Sequence, residues 1–168
     1  MLFRSASGIH STILHYVSND HTLRDGEVLL TDVGAEYGNY AADITRTVPV
    51  HGRFSERQRD VYQAVLDVQK EIIGEIKPGI MMDDLNDRAK ELIGDKLIEL
   101  ELIGEKEEIA KYYMHSIGHF LGLDTHDVGT HDKPLERGNV LTIEPGIYIQ
   151  EEKLGVRIED NILVTNDG

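Results

Sequence analysis

The sequence predicts one α+β domain, on three observations. Alternating apolar and polar residues mark strands over 26–34 and again within 139–165. Between them, a stretch with capping residues and an apolar stripe marks a helix beginning near 55. No linker, low-complexity tract or repeat divides the 168 residues, a length that suits one domain burying about two-thirds of its unfolded surface.

In "GEVLLTDVG" (26–34) a period of two places Val28, Leu30 and Asp32 on one face, so an aspartate joins an apolar row. The turn-like "EYGNY" follows, and the β-branched "AADITRTVPV" (41–50) returns as a hairpin partner. Ser55 and Gln58 have capping-box spacing at the head of a helix striped by Val61, Val65, Val68 and Ile72. "KPG" (77–79) stops it, and a second helix is expected from Asp83 or Asp84 through Leu85, Ala89, Leu92 and Leu97. "NVLTIEPGIYI" (139–149) and "GVRIEDNILVT" (155–165) read as a strand pair joined by "QEEK".

Composition narrows the function. Lys+Arg 17 against Asp+Glu 31 gives a formal charge of −14, which opposes binding to nucleic-acid phosphates. No apolar run approaches the roughly 20 residues of a membrane span, and "MLFRSASGIHST" lacks the apolar core of a signal peptide. The absence of cysteine excludes disulfides and thiolate metal sites and fits a reducing compartment, so the cytoplasm is the expected location. The acidity itself is either a solvated surface or, in part, a set of cation ligands.

Ionisable groups stand where a sheet normally buries apolar side chains: Asp32 and Asp43 across the hairpin, Glu144 in "TIEPG", and Glu159 in "RIEDN" beside Arg157 and Asn161. A carboxylate facing a core must be paired or coordinated. Each has a purely structural alternative: a turn cap for Asp32, a pair with Arg46 for Asp43, an edge-strand position for Glu144, and a pair with Arg157 for Glu159. In "MHSIGHFLGLDTHDVG" (114–129), His115 and His119 have the spacing of a helical zinc pair, but Ser116 stands where the zinc-protease motif needs glutamate. Gly118 and Gly122 favour extended or loop chain there, and a hydrogen-bonded structural role is the plain alternative for His115.

Together, "TDVGAEYGNYAADITRT", "MHSIGHFLGLDTHDVG", "LTIEPGIYI" and "GVRIEDNILVT" resemble the metal-binding segments of the Xaa-Pro aminopeptidase and prolidase family, from about Leu14 onward. The resemblance implies the pita-bread fold, with a mixed curved sheet flanked by helices. It implies five metal ligands, Asp32, Asp43, His119, Glu144 and Glu159, with Asp43 and Glu159 bridging two ions. It gives Glu144 a proton-relay role and places His15 and His126 at the reacting peptide as catalytic and substrate-binding groups, with His115 and Arg157 also on the substrate side. His131 has no matching role and is read as surface. Four carboxylates and one imidazole suit two Mn²⁺ ions first, with Co²⁺ or Zn²⁺ as alternatives.

The implied activity is hydrolysis of Xaa-Pro bonds in peptides with proline in second position. The alternatives are an Xaa-Pro dipeptidase (prolidase) and a non-enzymatic pita-bread binding module, against which the complete ligand set counts. Family members usually carry a separate N-terminal domain, further helices ahead of "LHY" and closing strands beyond "NDG". Residues 1–168 are therefore expected to form a partial catalytic domain with one of two helix pairs, an uncovered apolar sheet face, a tendency to form homo-oligomers, and weak activity by itself.

Overall fold

Strand pairing begins ahead of the first segment that the sequence marks. In the computed structural model, which describes residues 2–168, β1 (Leu2–Ser7) lies antiparallel to β2 (Val28–Gly34), with Arg4 opposite Asp32. This strand carries little sequence signal, because Arg4, Ser5 and Ser7 leave no apolar run. A two-stranded ribbon follows, β3 (Glu36–Tyr37) and β4 (Tyr40–Ala41). Its connecting Gly38 and Asn39 both have positive φ, 60° and 69°, as a two-residue hairpin turn requires. β5 (Ile44–Pro49) then returns along β2, with Asp32 opposite Thr45, to complete the order β1-β2-β5. The expected 41–50 partner strand thus starts at Ile44, and Asp43 sits at its threshold.

Helix α1 (Glu56–Glu75) opens on the expected capping box: Gln58 N donates to Ser55 Oγ at 3.2 Å, and Ser55 N donates to Gln58 Oε1 at 2.9 Å. Val61, Val65, Val68 and Ile72 are buried, each at 1% exposure or less, a gain of roughly 1.5–3 kcal/mol per side chain. α2 (Met82–Glu99) starts just before the expected aspartates and has no side-chain cap, so packing of Met82, Leu85, Ala89, Ile93 and Leu97 against α1 and its surroundings holds it. Leu92 is only partly buried, because Ile93 takes the inward position.

The last two expected strands are each broken once. β6 (Val140–Ile143) and β7 (Gly146–Ile149) are separated at Glu144 and Pro145; β8 (Leu154–Arg157) and β9 (Asp160–Leu163) at Ile158 and Glu159. β7 pairs with β8 across the "QEEK" turn, and β6 pairs with β9. Pro145 has no N–H for a ladder, which favours the first break. From α1, the buried Gln69 Nε2 lies 3.2 Å from both Ile143 O and Ile158 O, and so joins the two breaks. Both breaks carry a glutamate that the sequence analysis singled out.

All ladders among the described strands are antiparallel. α1 covers β6, β7 and β8, where Ile143, Ile147 and Val156 are fully buried, and α2 packs on α1. The opposite half is barer: Phe3, Ile44 and Val48, on alternate positions of β1 and β5, are 51%, 37% and 46% exposed. No helix among the described residues is long and apolar enough to cross a membrane.

Residues 117–121 run extended beside β6, with Glu144 N donating to Ile117 O at 2.7 Å, Thr142 N to His119 O at 2.9 Å and Leu121 N to Val140 O at 3.0 Å. The approach is so close that a Cβ on Gly118 would lie 1.8 Å from Thr142 O, and only glycine fits. His115 and His119 are therefore four apart on irregular chain that bends at His115 and Ile117, not on a helix.

Candidate metal centre

β2 delivers Asp32, the β5 threshold Asp43, the 117–121 segment His119, and the two strand breaks Glu144 and Glu159. All five line one cavity of about 210 Å³, together with His15, His115, His126, Arg4 and Arg157. Asp43, His119 and Glu159 each bring a ligand atom within 4.8 Å of the others, close enough to share an ion. His119 Nε2 lies 3.8 Å from Asp43 Oδ2 and 3.5 Å from Glu144 Oε1. Its Nδ1 is 3.0 Å from Phe120 O; a carbonyl only accepts, so Nδ1 carries the proton and Nε2 presents its lone pair to the carboxylates.

A hydrogen-bonded frame holds these groups. Arg157, 4% exposed, donates from NH2 to Asp32 Oδ2 at 2.8 Å, from Nε to Thr45 Oγ1 at 3.2 Å and from NH1 to the Tyr148 hydroxyl at 3.2 Å. Thr45 Oγ1 donates in turn to Glu159 Oε2 at 2.6 Å. The Tyr148 hydroxyl lies 2.9 Å from His115 Nε2, while His115 Nδ1 lies 2.7 Å from Ser116 O. His115 must donate to the carbonyl, so Tyr148 donates to Nε2 and both ring nitrogens are occupied. With its amide oriented to match, Asn161 donates to Asp43 O at 2.7 Å and accepts from Asp43 N at 3.3 Å. One residue thereby fixes the backbone of a second.

Of the structural alternatives, two pairings are replaced by others. Arg46 pairs with Asp160 at 2.5 Å and not with Asp43, and Arg157 pairs with Asp32 and not with Glu159. Nor is Asp32 a turn cap, being 4% exposed in mid-strand, and Glu144 is not an exposed edge group, with a side chain only 19% exposed. His15 and His126 are exposed at the cavity rim, and the His126 ring lies 4.2 Å from that of His119, centre to centre. His131 pairs with Asp83 at 3.0 Å, away from this cavity.

The electrostatics are unbalanced. Burial, followed by the charge of Asp32, pushes the Asp43 carboxyl well above the ordinary carboxylate range. Burial raises Glu144, aided by Asp43 and Asp32, and raises Glu159, aided by Glu144 and Asp43. His119 and His115 are lowered chiefly by burial and favour the neutral form, which is the form that ligates. Asp32 Oδ1 and Asp43 Oδ1 are buried with no hydrogen-bond partner, a cost of about 1–3 kcal/mol each if left so. Crowded carboxylates, an oriented imidazole and orphaned oxygens fit divalent cations; arginine reaches only Asp32 among the carboxylates. Asn161 shares a face with Arg157 and Glu159 by strand alternation, whereas nothing in the sequence assigns Gln69, Thr45, Arg4 and Tyr148 to this frame. Of these four, Gln69 alone has a local signal, a polar residue in the apolar register of α1.

The fold is of the pita-bread type, and its carboxylate cluster has the donor set of a metal site. Residues 3–166 match the model of metallopeptidase family M24, and the chain belongs to that family. The match starts ahead of Leu14, because β1 belongs to it. The chain is 43% identical to the Xaa-Pro aminopeptidase of Haemophilus influenzae, over 97% of this chain and 42% of that protein. It is 41% identical to human Xaa-Pro aminopeptidase 3, over 96% of this chain and 35% of the relative. A solved Bacillus anthracis structure assigned as an aminopeptidase P superposes with a TM-score of 0.97 at 50% identity, covering 99% of this chain and 40% of that one. The zinc-substituted Escherichia coli aminopeptidase P with bound product gives a TM-score of 0.91 at 37% identity, covering 98% and 42%. The chain thus spans less than half the length of these relatives.

Proposed function

We propose that residues 1–168 form catalytic-domain structure of a cytoplasmic Xaa-Pro aminopeptidase that works with two Mn²⁺ ions. The convergence of Asp32, Asp43, His119, Glu144 and Glu159 on one cavity carries this reading. Asp43 and Glu159, flanking the cavity, would bridge the ions; His119 and Glu144 would hold one, and Asp32 the other through its free Oδ1. When bound, two such ions supply a hydroxide near neutral pH and polarise the scissile carbonyl. Four carboxylates match the charge of two dications.

The chain's own groups supply the rest. Glu144, 3.5 Å from His119 Nε2 on the cavity wall, is placed to take the proton of the attacking water and pass it to the departing proline nitrogen. Proline has no amide hydrogen and a fixed ring, so its recognition depends on shape, and His15 and His126 at the rim are placed to flank it. Arg157 holds Asp32 directly and is joined through the Tyr148 hydroxyl to His115 on the cavity wall. Self-association across the bare face around Phe3, Ile44 and Val48 belongs to the same reading.

The test is hydrolysis of an Xaa-Pro dipeptide and an Xaa-Pro-Ala tripeptide after Mn²⁺ loading, with released amino acids identified. The expected result is release of the N-terminal residue, faster from the tripeptide. Cleavage of the dipeptide alone would make the protein a prolidase, and cleavage of neither would leave the binding-module reading.

A further inference from the structure

Arg4 stands on the wall of the metal cavity, and the proposed reaction has given it no task. It lies in β1 directly opposite Asp32 of β2, so the two side chains share one face of the sheet. The strand is fixed on both sides of it. Ser5 N donates to Asn19 Oδ1 at 2.6 Å, and Asn19 Nδ2 donates to Phe3 O at 3.2 Å. The chain that carries Asn19 also brings Leu14 and His15 to the cavity, so Arg4 and this part of the rim are tied together.

The bonding of the Arg4 guanidinium is incomplete. NH1 donates to Asp32 Oδ2 at 3.3 Å, a long contact to an oxygen that Arg157 already holds at 2.8 Å. Nε is enclosed without a partner, and NH2 bonds none of the described residues. Arg157 differs, because its donors reach Asp32, Thr45 Oγ1, the Tyr148 hydroxyl and Leu14 O. One aspartate thus faces two guanidinium charges. In the proposed two-ion centre the four carboxylates match the dications, which leaves both arginine charges uncompensated. That of Arg157 is sealed in, with 4% of its side chain exposed, whereas the Arg4 side chain is 16% exposed. Burial, followed by the charge of Arg4, holds the His15 imidazole below its ordinary range, which agrees with a guanidinium near the rim.

We propose that Arg4 receives a carboxylate of the peptide substrate and so gives the cavity a preference for anionic peptides. The inference rests on the Xaa-Pro peptidase reading and adds a specificity-determining residue to it. A peptide offers that chemistry from two sources: the side chain of an acidic Xaa residue, and the C-terminal carboxylate of a dipeptide. A guanidinium meets a carboxylate through charge-assisted bonds in a planar fork, which a neutral amide does not match.

The test compares Glu-Pro-Ala with Gln-Pro-Ala, and Ala-Pro with Ala-Pro-amide, at equal Mn²⁺ occupancy. The first pair reads the side chain and the second the C-terminus. In one of the two pairs the carboxylate member is expected to have a kcat/KM about tenfold higher. Arg4→Met is expected to bring that ratio close to one, and Arg4→Lys to keep part of it. Arg4 also touches Asp32, so each ratio is taken within one protein and any common loss of turnover cancels. Calorimetric binding of the products gives a second reading without turnover: glutamate tighter than glutamine, or proline tighter than prolinamide, in the parent and not in Arg4→Met. Ratios near one for both pairs in the parent, or a preference that survives Arg4→Met, overturn this inference alone. Cleavage of none of the peptides overturns the peptidase reading and this inference with it.

Discussion

His119→Ala is expected to reduce bound metal from two equivalents to one and to lower turnover by about 100-fold or more, while His126→Ala keeps both equivalents and loses about 10- to 100-fold in turnover. The two rings lie 4.2 Å apart, so proximity alone does not distinguish them. Orientation does. His119 is locked by Phe120 O with Nε2 towards Asp43 and Glu144, whereas His126 is exposed at the rim, where a substrate would pass in the proposed reaction. Metal content by mass spectrometry, alongside Xaa-Pro-Ala hydrolysis, reads both effects. Metal lost on replacing His126 and retained on replacing His119 would reverse the assignment.

Metal-free protein is expected to lose stability as pH rises from 6.5 to 9, and Mn²⁺ is expected to restore more of it at the upper end. Asp43 and Glu144 are pushed up to about 7 and Glu159 to about 9, in each case first by burial. Unfolded, these carboxyls titrate near 4, so above that pH the native state holds protons that the unfolded chain has lost. Their contribution is complete below about pH 4 and disappears as pH climbs through the native values, because stability falls wherever the native state binds more protons. His115, lowered to about 4 by burial, acts in the opposite sense, but only below its unfolded value near 6.5, outside this window. A loss of several kcal/mol corresponds to a fall in Tm of roughly 10 °C for a chain of this size. Metal ions replace the protons, so their stabilisation grows with pH. A Tm independent of pH between 6.5 and 9 would show that the carboxylates are not crowded in the metal-free state.

The parts of this site that local pattern could reveal are those on regular elements. Period two placed Asp32 inward with Val28 and Leu30, and capping-box spacing located the start of α1. Pro145 in "NVLTIEPGIYI" is a local signal for the break at Glu144, but "GVRIEDNILVT" reads as continuous β chain and hides the break at Glu159. Gln69 reaches from α1 to a carbonyl at each break, a contact far apart in sequence. The partner of Arg157 was equally hidden. Glu159 is two residues away in sequence, but the guanidinium bonds Asp32, 125 positions distant, across the contact between β8 and β2. Ligand types were therefore visible as polar residues in apolar registers, while the frame that aims them is a product of long-range packing. β1 was missed for a related reason: its short side chains matter mainly through the ladder with β2.

The central claim is that the buried carboxylates form a two-metal centre, and anomalous diffraction from Mn²⁺-loaded crystals tests it most directly. Two peaks are expected in the cavity, both within ligand distance of Asp43 and Glu159, one also beside His119 and Glu144 and the other beside Asp32. No peak there, or peaks only at surface carboxylates such as Asp83 and Asp87, would contradict it.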